Sequence, residues 1–113
     1  MAWRSIHRYA RMSARKVRLI ADMVRGRDVQ DALNVLKFSP NRAAMMISKV
    51  LRSAIANANE GEADVESLFV SVSRVDEGPV IKRIRAKDRG RAYEIRKRMC
   101  HIVIEVDQEP AKA

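Results

Sequence analysis

Apolar residues recur at helical spacing in two neighbouring stretches of the chain. The first stretch lies between Ser13 and Gly26 and has its stripe at Val17, Ile20, Ala21 and Val24. Ser favours the N-cap of a helix and Gly the position just after its end, so this stretch predicts a first helix. The second stretch follows Asp28 and has its stripe at Val29, Ala32, Leu33 and Leu36. It predicts a second helix with Asp28 as its N-cap.

A third and longer helix is predicted from Ser39 to Asn59. Ser39 suits the N-cap, Pro40 suits the first helical position, and Gly61 follows the end of the pattern. Its apolar side consists of Ile47, Leu51, Ala54 and Ala58. Its polar side carries Lys49, Ser53 and Asn57 at intervals of four residues. Exposure to solvent and contact with a nucleic acid are equally compatible with these three.

The apolar period changes to two after an acidic loop at residues 60–66. In residues 68–75 an apolar set alternates with a polar or aromatic set, which predicts a half-buried strand. The two sets are Leu68, Val70 and Val72 against Phe69, Ser71 and Ser73. Residues 101–106 predict a second strand, with Ile102, Ile104 and Val106 against His101, Val103 and Glu105. We expect residues 3–11 to be extended, although their arginines also fit one face of a helix.

Between the two strands, residues 79–100 contain too few apolar residues to form a core. Gly90 lies near the midpoint, which favours two arms of a β-hairpin over a disordered basic loop. Ten residues per arm would reach roughly 30 Å. The predicted fold is therefore α+β, with three helices packed on a small antiparallel sheet and a long basic hairpin projecting from the body. We expect one domain, with a body at 1–78 and 101–108, the hairpin at 79–100 and a short tail at 109–113.

Composition narrows the class of protein. The 113 residues fit one domain, and 47% of them are hydrophobic, which is enough for a core. Aromatic residues make up only 4%, which argues against recognition of RNA by stacking platforms. One Cys and two His cannot fill a structural zinc site. Neither a membrane-spanning apolar run nor a signal-peptide pattern occurs, so we expect a cytosolic protein.

The charge of the chain is separated into blocks. Lys and Arg total 23 against 14 Asp and Glu, which gives a formal net charge of +9. Basic residues without any acid occupy 1–18, and a second basic block occupies 74–101. These blocks indicate a phosphate-binding surface built from both ends of the chain, rather than charges that only solubilise it. The candidate contacts are Arg4, Arg8, Arg11, Arg15, Lys16, Arg18, Lys82, Arg83, Arg85, Lys87, Arg96, Lys97 and Arg98.

Five sequence segments in this order carry a family resemblance. They are SARKVRLIADMVRG at 13–26, KVLRSAIANA at 49–58, VDEGPVIKR at 75–83, GRA at 90–92 and KRMCHIVIEV at 97–106. Together they resemble the bacterial-type large ribosomal subunit protein twenty-two family, over nearly the whole chain. The resemblance implies a small α+β body on the surface of the large subunit, bound to its rRNA. It also implies a hairpin whose tip lines the nascent-peptide exit tunnel, near the site of macrolide antibiotics.

The resemblance also assigns roles to individual residues. Those that match the motifs of the family as rRNA contacts are Arg15, Lys16, Arg18, Asn57, Lys82, Arg83, Lys97, Arg98 and His101. The tunnel-lining tip corresponds to Ala86, Lys87, Asp88, Arg89, Gly90 and Arg91. The chain has Ala14 where the family usually has Pro, Ala86-Lys87-Asp88 for Pro-Arg-Ala, and Met99-Cys100 for Thr-Ser. The implied partners are large-subunit rRNA, neighbouring large-subunit proteins and the nascent peptide, with no cofactor, membrane or second copy of the chain.

Other functions explain the sequence less well. Cys100 and His101 are adjacent on a predicted strand and would point to opposite faces, so they cannot easily act as nucleophile and base. The acidic pair at 76–77 precedes Gly78-Pro79 and suits a bend at the end of a strand. The first two helices could imitate a helix-turn-helix that reads DNA, and the basic residues could bind anionic lipid. The DNA-reading alternative leaves the basic hairpin unexplained, and the sequence lacks the paired aromatic and basic amphipathic face that lipid binding needs. The hairpin therefore favours an RNA-binding protein over a DNA reader or a membrane protein, and an enzyme is not expected.

Overall fold

A computed structural model describes residues 2–87 and 90–108 and shows three helices and three strands in them. They are β1 (Ala2–Ala10), α1 (Ala14–Val24), α2 (Val29–Phe38), α3 (Arg42–Glu60), β2 (Leu68–Lys87) and β3 (Arg91–Gln108), with a 3₁₀ turn at Val65–Ser67. The strands form one antiparallel sheet in the order β1-β3-β2. The predicted α+β fold is therefore confirmed. The extended segment expected at 3–11 is β1, an edge strand paired with β3.

The core lies between the helices and one face of the sheet. The predicted apolar stripes are buried in it, except that Leu33 is only partly buried. Its largest fully buried side chains include Ile47 and Leu51 of α3 and Ile102 and Ile104 of β3. Burying an aliphatic side chain of this size contributes roughly 2 kcal/mol. The opposite face of the sheet carries no helix, so its side chains are available for contacts outside the body.

The start of α3 was predicted two residues too early. Its N-cap is Asn41 and its first residue is Arg42, rather than Ser39 and Pro40. Ser39 instead closes α2, because its N–H donates to the Leu36 carbonyl at 3.2 Å. Its Oγ donates to the Val35 carbonyl at 2.9 Å. A serine that bonds backward to the preceding helix is not available to cap the next one.

The alternation predicted for residues 68–75 holds only as far as Val70. The pairing register shifts between Val70 and Val72, and such a β-bulge moves the following side chains to the other face. Ser73, expected to point outward, is 1% exposed, and its Oγ donates to the Ala21 carbonyl of α1 at 2.9 Å. Val72 is partly exposed on the open face. The hydrogen bond allows a polar side chain to occupy a core position.

The basic hairpin is a direct continuation of β2 and β3. Their pairing runs from the body to Lys87↔Arg91, with a register shift between Glu77 and Val80, where the strands leave the helices. Gly90 has φ +71°, a left-handed conformation that glycine adopts without strain, and it lies at the end of the ribbon as expected. The molecule measures 71 × 25 × 19 Å, so the ribbon accounts for its elongated shape.

Candidate nucleic-acid interface

The open face of the sheet carries cations around an apolar centre. Val103 lies in the middle of this face and is only 3% exposed, because longer side chains surround it. The neighbouring cations include Arg4, which pairs with Glu105 at 3.6 Å, and Arg74, which pairs with Asp76 at 3.4 Å. A shallow depression on this face is lined by Val103, Arg74 and Arg8, and Arg8 makes no ion pair within the described residues. The open face is therefore basic, but two of its arginines already have acidic partners.

His101, a predicted rRNA contact, is tied to a residue that sequence reasoning did not single out. The Tyr9 N–H donates to His101 Nδ1 at 3.0 Å, and the two rings meet edge to face with centroids 5.0 Å apart. Tyr9 has φ +59°, which is uncommon for a residue other than glycine, and its side chain is largely exposed. The β1–β3 register creates this pair, and no local sequence signal indicates it. Of the two ring nitrogens of His101, only Nε2 is left for another partner.

A groove at the base of the hairpin brings the two basic blocks together. Its volume is about 590 Å³, and it lies between the start of α1 and the ends of the two hairpin arms that join the body. Its cations are Arg15 from the first basic block and Lys82, Arg96 and Arg98 from the second. Glu77 is the acidic residue in its wall. We call this the junction groove.

A second depression lies between the free edge of β1 and α3. Lys49 and Ser53 line it together with Arg8, so three predicted contacts meet there. Asn57 makes a structural contact instead. Its Nδ2 donates to the Arg4 carbonyl at 3.1 Å and so attaches α3 to the edge of the sheet. The polar face of α3 is therefore divided between an open basic depression and a structural contact.

Arg18, also a predicted rRNA contact, binds the backbone of β2. Its Nε and Nη2 donate to the Val75 carbonyl at 3.1 and 3.0 Å. Arg25, the C-cap residue of α1, binds the Ser73 carbonyl in the same manner and pairs with Asp22 at 2.8 Å. These two arginines attach α1 to the outer edge of the sheet and satisfy carbonyls that an edge strand would otherwise expose. Sequence reasoning identified the charge of Arg18 but not this structural role.

The two faces of the hairpin are both basic. Cross-strand pairing places Lys82, Arg96 and Arg98 on the helix side and Arg83 and Lys97 on the other. Lys82 pairs with Glu94 at 3.7 Å, whereas the other four make no ion pair or hydrogen bond within the described residues. Ile84 is 80% exposed, so the ribbon also presents apolar surface. A ribbon with these properties cannot bury its own surface and suits a partner that neutralises it.

The described part of the chain contains most of the predicted tip. Arg85, Ala86 and Lys87 lie in β2, Arg91 begins β3, and Gly90 precedes it. Asp88 and Arg89 lie outside the described residues.

Two of the sequence alternatives, a helix-turn-helix that reads DNA and a nucleophilic cysteine, are not supported by the structure. The turn between α1 and α2 is paired with β2, since the Gly26 N–H donates to the Val70 carbonyl and the Val70 N–H to the Arg27 carbonyl, both at 2.9 Å. A turn fixed to the sheet does not leave α2 free to enter a DNA groove. Burial raises the pKa of the Cys100 thiol, against a smaller opposite effect of Arg18, so the thiol is unsuited to nucleophilic attack.

The same part of the chain lacks two further features. None of its helices is long and apolar enough to span a membrane. Nor does it contain three or more His, Cys, Asp or Glu side chains grouped to hold a metal ion.

Comparison with known proteins agrees with the resemblance. The model of the family described as ribosomal protein L22p/L17e matches residues 5–107. Large ribosomal subunit protein uL22 of Maridesulfovibrio salexigens is 51% identical over 109 residues, covering 96% of this chain and 99% of the relative. The uL22 proteins of Syntrophotalea carbinolica and Geobacter metallireducens are 48% and 52% identical over 103 and 97 residues. These matches cover 90% and 85% of this chain, and 94% and 88% of the relatives. The chain therefore belongs to the ribosomal protein L22p/L17e family, whose members are structural, non-enzymatic proteins of the large ribosomal subunit.

Proposed function

We propose that the chain binds large-subunit rRNA with its body and both faces of its hairpin, and that it thereby supports assembly of the subunit. As a family member it is part of the ribosome, in the cytoplasm. The observation that carries the proposal is the set of exposed cations without intramolecular partners in the described residues. Those among the predicted contacts are Arg8, Arg11, Arg15, Lys16, Lys49, Arg83, Arg96, Lys97 and Arg98, and Lys37, Arg42 and Arg52 of α2 and α3 complete the set.

The mechanism follows from these cations and from the shape of the ribbon. Each arginine presents a planar fork of donors that fits phosphate oxygens, and binding releases the counterions of the RNA. The hairpin arms repel one another through their like charges until a polyanion surrounds them. RNA is therefore both the ligand and the stabiliser of the ribbon. Protein contacts with neighbouring large-subunit proteins would use the helical side of the body, which exposes Leu19, Phe38 and Met45.

For the hairpin we propose the further role of lining the nascent-peptide exit tunnel. A two-stranded ribbon is only about 5 Å wide between strand axes, so it can pass between RNA helices that would exclude a globular body. Its body-distal end exposes Ile84, and a growing peptide would meet such a surface in the tunnel wall. The family resemblance supports this role, and the elongated shape agrees with it.

Assembly and tunnel lining can be tested separately. Full-length tagged chain should co-sediment with large subunits in high-salt gradients, and its loss from subunits under those conditions would contradict the rRNA-binding proposal. A photo-crosslinking amino acid at Ile84 should then label rRNA and a stalled nascent peptide. The matched control is the same amino acid at Gln30, an exposed position of α2. Equal labelling of the nascent peptide from both positions, or none from Ile84, would contradict tunnel lining.

A further inference from the structure

The junction groove differs from the other basic surfaces because its cations come from three elements. Arg15 belongs to α1, Lys82 to β2, and Arg96 and Arg98 to β3. Val80 pairs with Arg98, and Lys82 with Arg96, so the three hairpin cations lie on consecutive rungs of one face. Four like charges around a concave surface raise the local positive potential above that of an isolated arginine.

The apolar lining of the groove and its excess of positive over negative side chains favour a bound anion. Ala14, Val80 and Met99 line it alongside the cations, so the arginines lie against apolar surface. Glu77 supplies one negative charge against four positive ones, and Lys82 shares its charge with Glu94. Arg15, Arg96 and Arg98 make no hydrogen bond or ion pair in the described residues. Three guanidinium groups therefore face a groove without an internal partner.

We infer that the junction groove binds the phosphodiester backbone of one RNA strand, which crosses from α1 to the base of the hairpin. The inference rests on the proposed function and adds to it a defined site and a mechanical role. The groove has one wall in the body and one in the hairpin, and the strands shift register between Glu77 and Val80 at its edge. An RNA phosphate shared by Arg15 and Arg98 ties the two parts together. It sets the direction in which the hairpin leaves the body.

The site can be tested without rRNA by titrating the free, full-length protein with inorganic phosphate at constant ionic strength, followed by amide NMR shifts. We expect saturable shifts at Ala14, Arg15 and Lys82 in the wild type. Arg98→Ala should abolish them. Lys97→Ala is the matched control, because it removes one charge from the adjacent position on the opposite face and should leave them intact. The absence of saturable shifts at these amides in the wild type, or their equal loss in both variants, would overturn the site.

A double-mutant cycle with large-subunit rRNA tests whether the body wall and the hairpin wall of the groove bind the same RNA strand. Arg15→Ala and Arg98→Ala should each weaken binding about tenfold, as expected for loss of a charge-assisted hydrogen bond. The double variant should lose clearly less affinity than the product of the two single fold-losses, because both side chains contact the same phosphate. In Arg15→Ala combined with Lys97→Ala, the loss of affinity should equal the product of the two single fold-losses. Additivity in both cycles would overturn the shared strand while leaving rRNA binding intact, whereas the absence of rRNA binding by the wild type would refute the proposed function itself.

Discussion

Replacing Arg18 with Ala should destabilise the fold although the residue lies in a predicted RNA-binding motif. The substitution removes two hydrogen bonds, at 3.1 and 3.0 Å, from the guanidinium to the Val75 carbonyl. A hydrogen bond from a charged group contributes about 1.5–3 kcal/mol, and the contact is only partly buried, so we expect a net loss of about 1–2 kcal/mol. For a chain of this length, 1 kcal/mol corresponds to about 4 °C in Tm. The expected decrease in Tm is therefore about 4–8 °C.

Thermal unfolding of the free protein, followed by circular dichroism, measures this effect. Arg15→Ala is the matched control, since it removes the same side chain one turn earlier on α1. Arg15 is exposed and makes no bond within the described residues, so its Tm should change by about 2 °C or less. The difference should persist at high salt, because the partner of Arg18 is a neutral carbonyl and not a screened charge. Equal Tm values for the two variants would refute the structural role of Arg18.

Further predictions concern the body, the core, the thiol and the tip. We propose that the body folds without the hairpin: deleting residues 82–98 and bridging the gap with a Gly-containing turn should leave cooperative thermal unfolding, and a non-cooperative transition would contradict this. Leu51→Ala, at a fully buried position, should cost about 3–5 kcal/mol in urea unfolding, and a cost below about 1 kcal/mol would contradict the assigned core. Because burial raises the pKa of Cys100, folding stability should decline as pH rises above the ordinary thiol pKa of 9.0, while Cys100→Ala should lack that decline. Arg89→Glu should leave subunit assembly intact but alter macrolide susceptibility or peptide-induced stalling, and unchanged behaviour in both assays would contradict a tunnel-lining tip.

The helices were predictable because their signals are local. A helix is indicated by an apolar stripe within it and by cap residues at its ends, all close together in the sequence. The stripe of α1 is buried, as its spacing predicted. The hairpin was predictable for a related reason, since its basic composition excludes a core and Gly90 permits its turn. Ser39 shows the limit of this reasoning. Its sequence context suits a cap for either helix, and only the three-dimensional path of the loop assigns it to α2.

Features that depend on pairing between distant segments were not predictable. The bulge that buries Ser73 arises from the register of β2 against β3, and nothing within residues 68–75 indicates it. The same holds for the candidate interface. Charge blocks predicted a set of candidate RNA contacts, but only the fold separates Arg18, which binds the sheet, from Arg15, which faces the junction groove.

The salt dependence of binding to large-subunit rRNA tests the central claim most directly, namely that exposed cations on the body and hairpin neutralise several phosphates at once. Affinity of the full-length chain would be measured by filter binding over a range of monovalent salt. If about six phosphates are engaged, log K should fall against log salt with a slope of about −4 to −5. A slope near −1 would contradict the account, because it would mean that a single contact, and not an extended surface, holds the RNA.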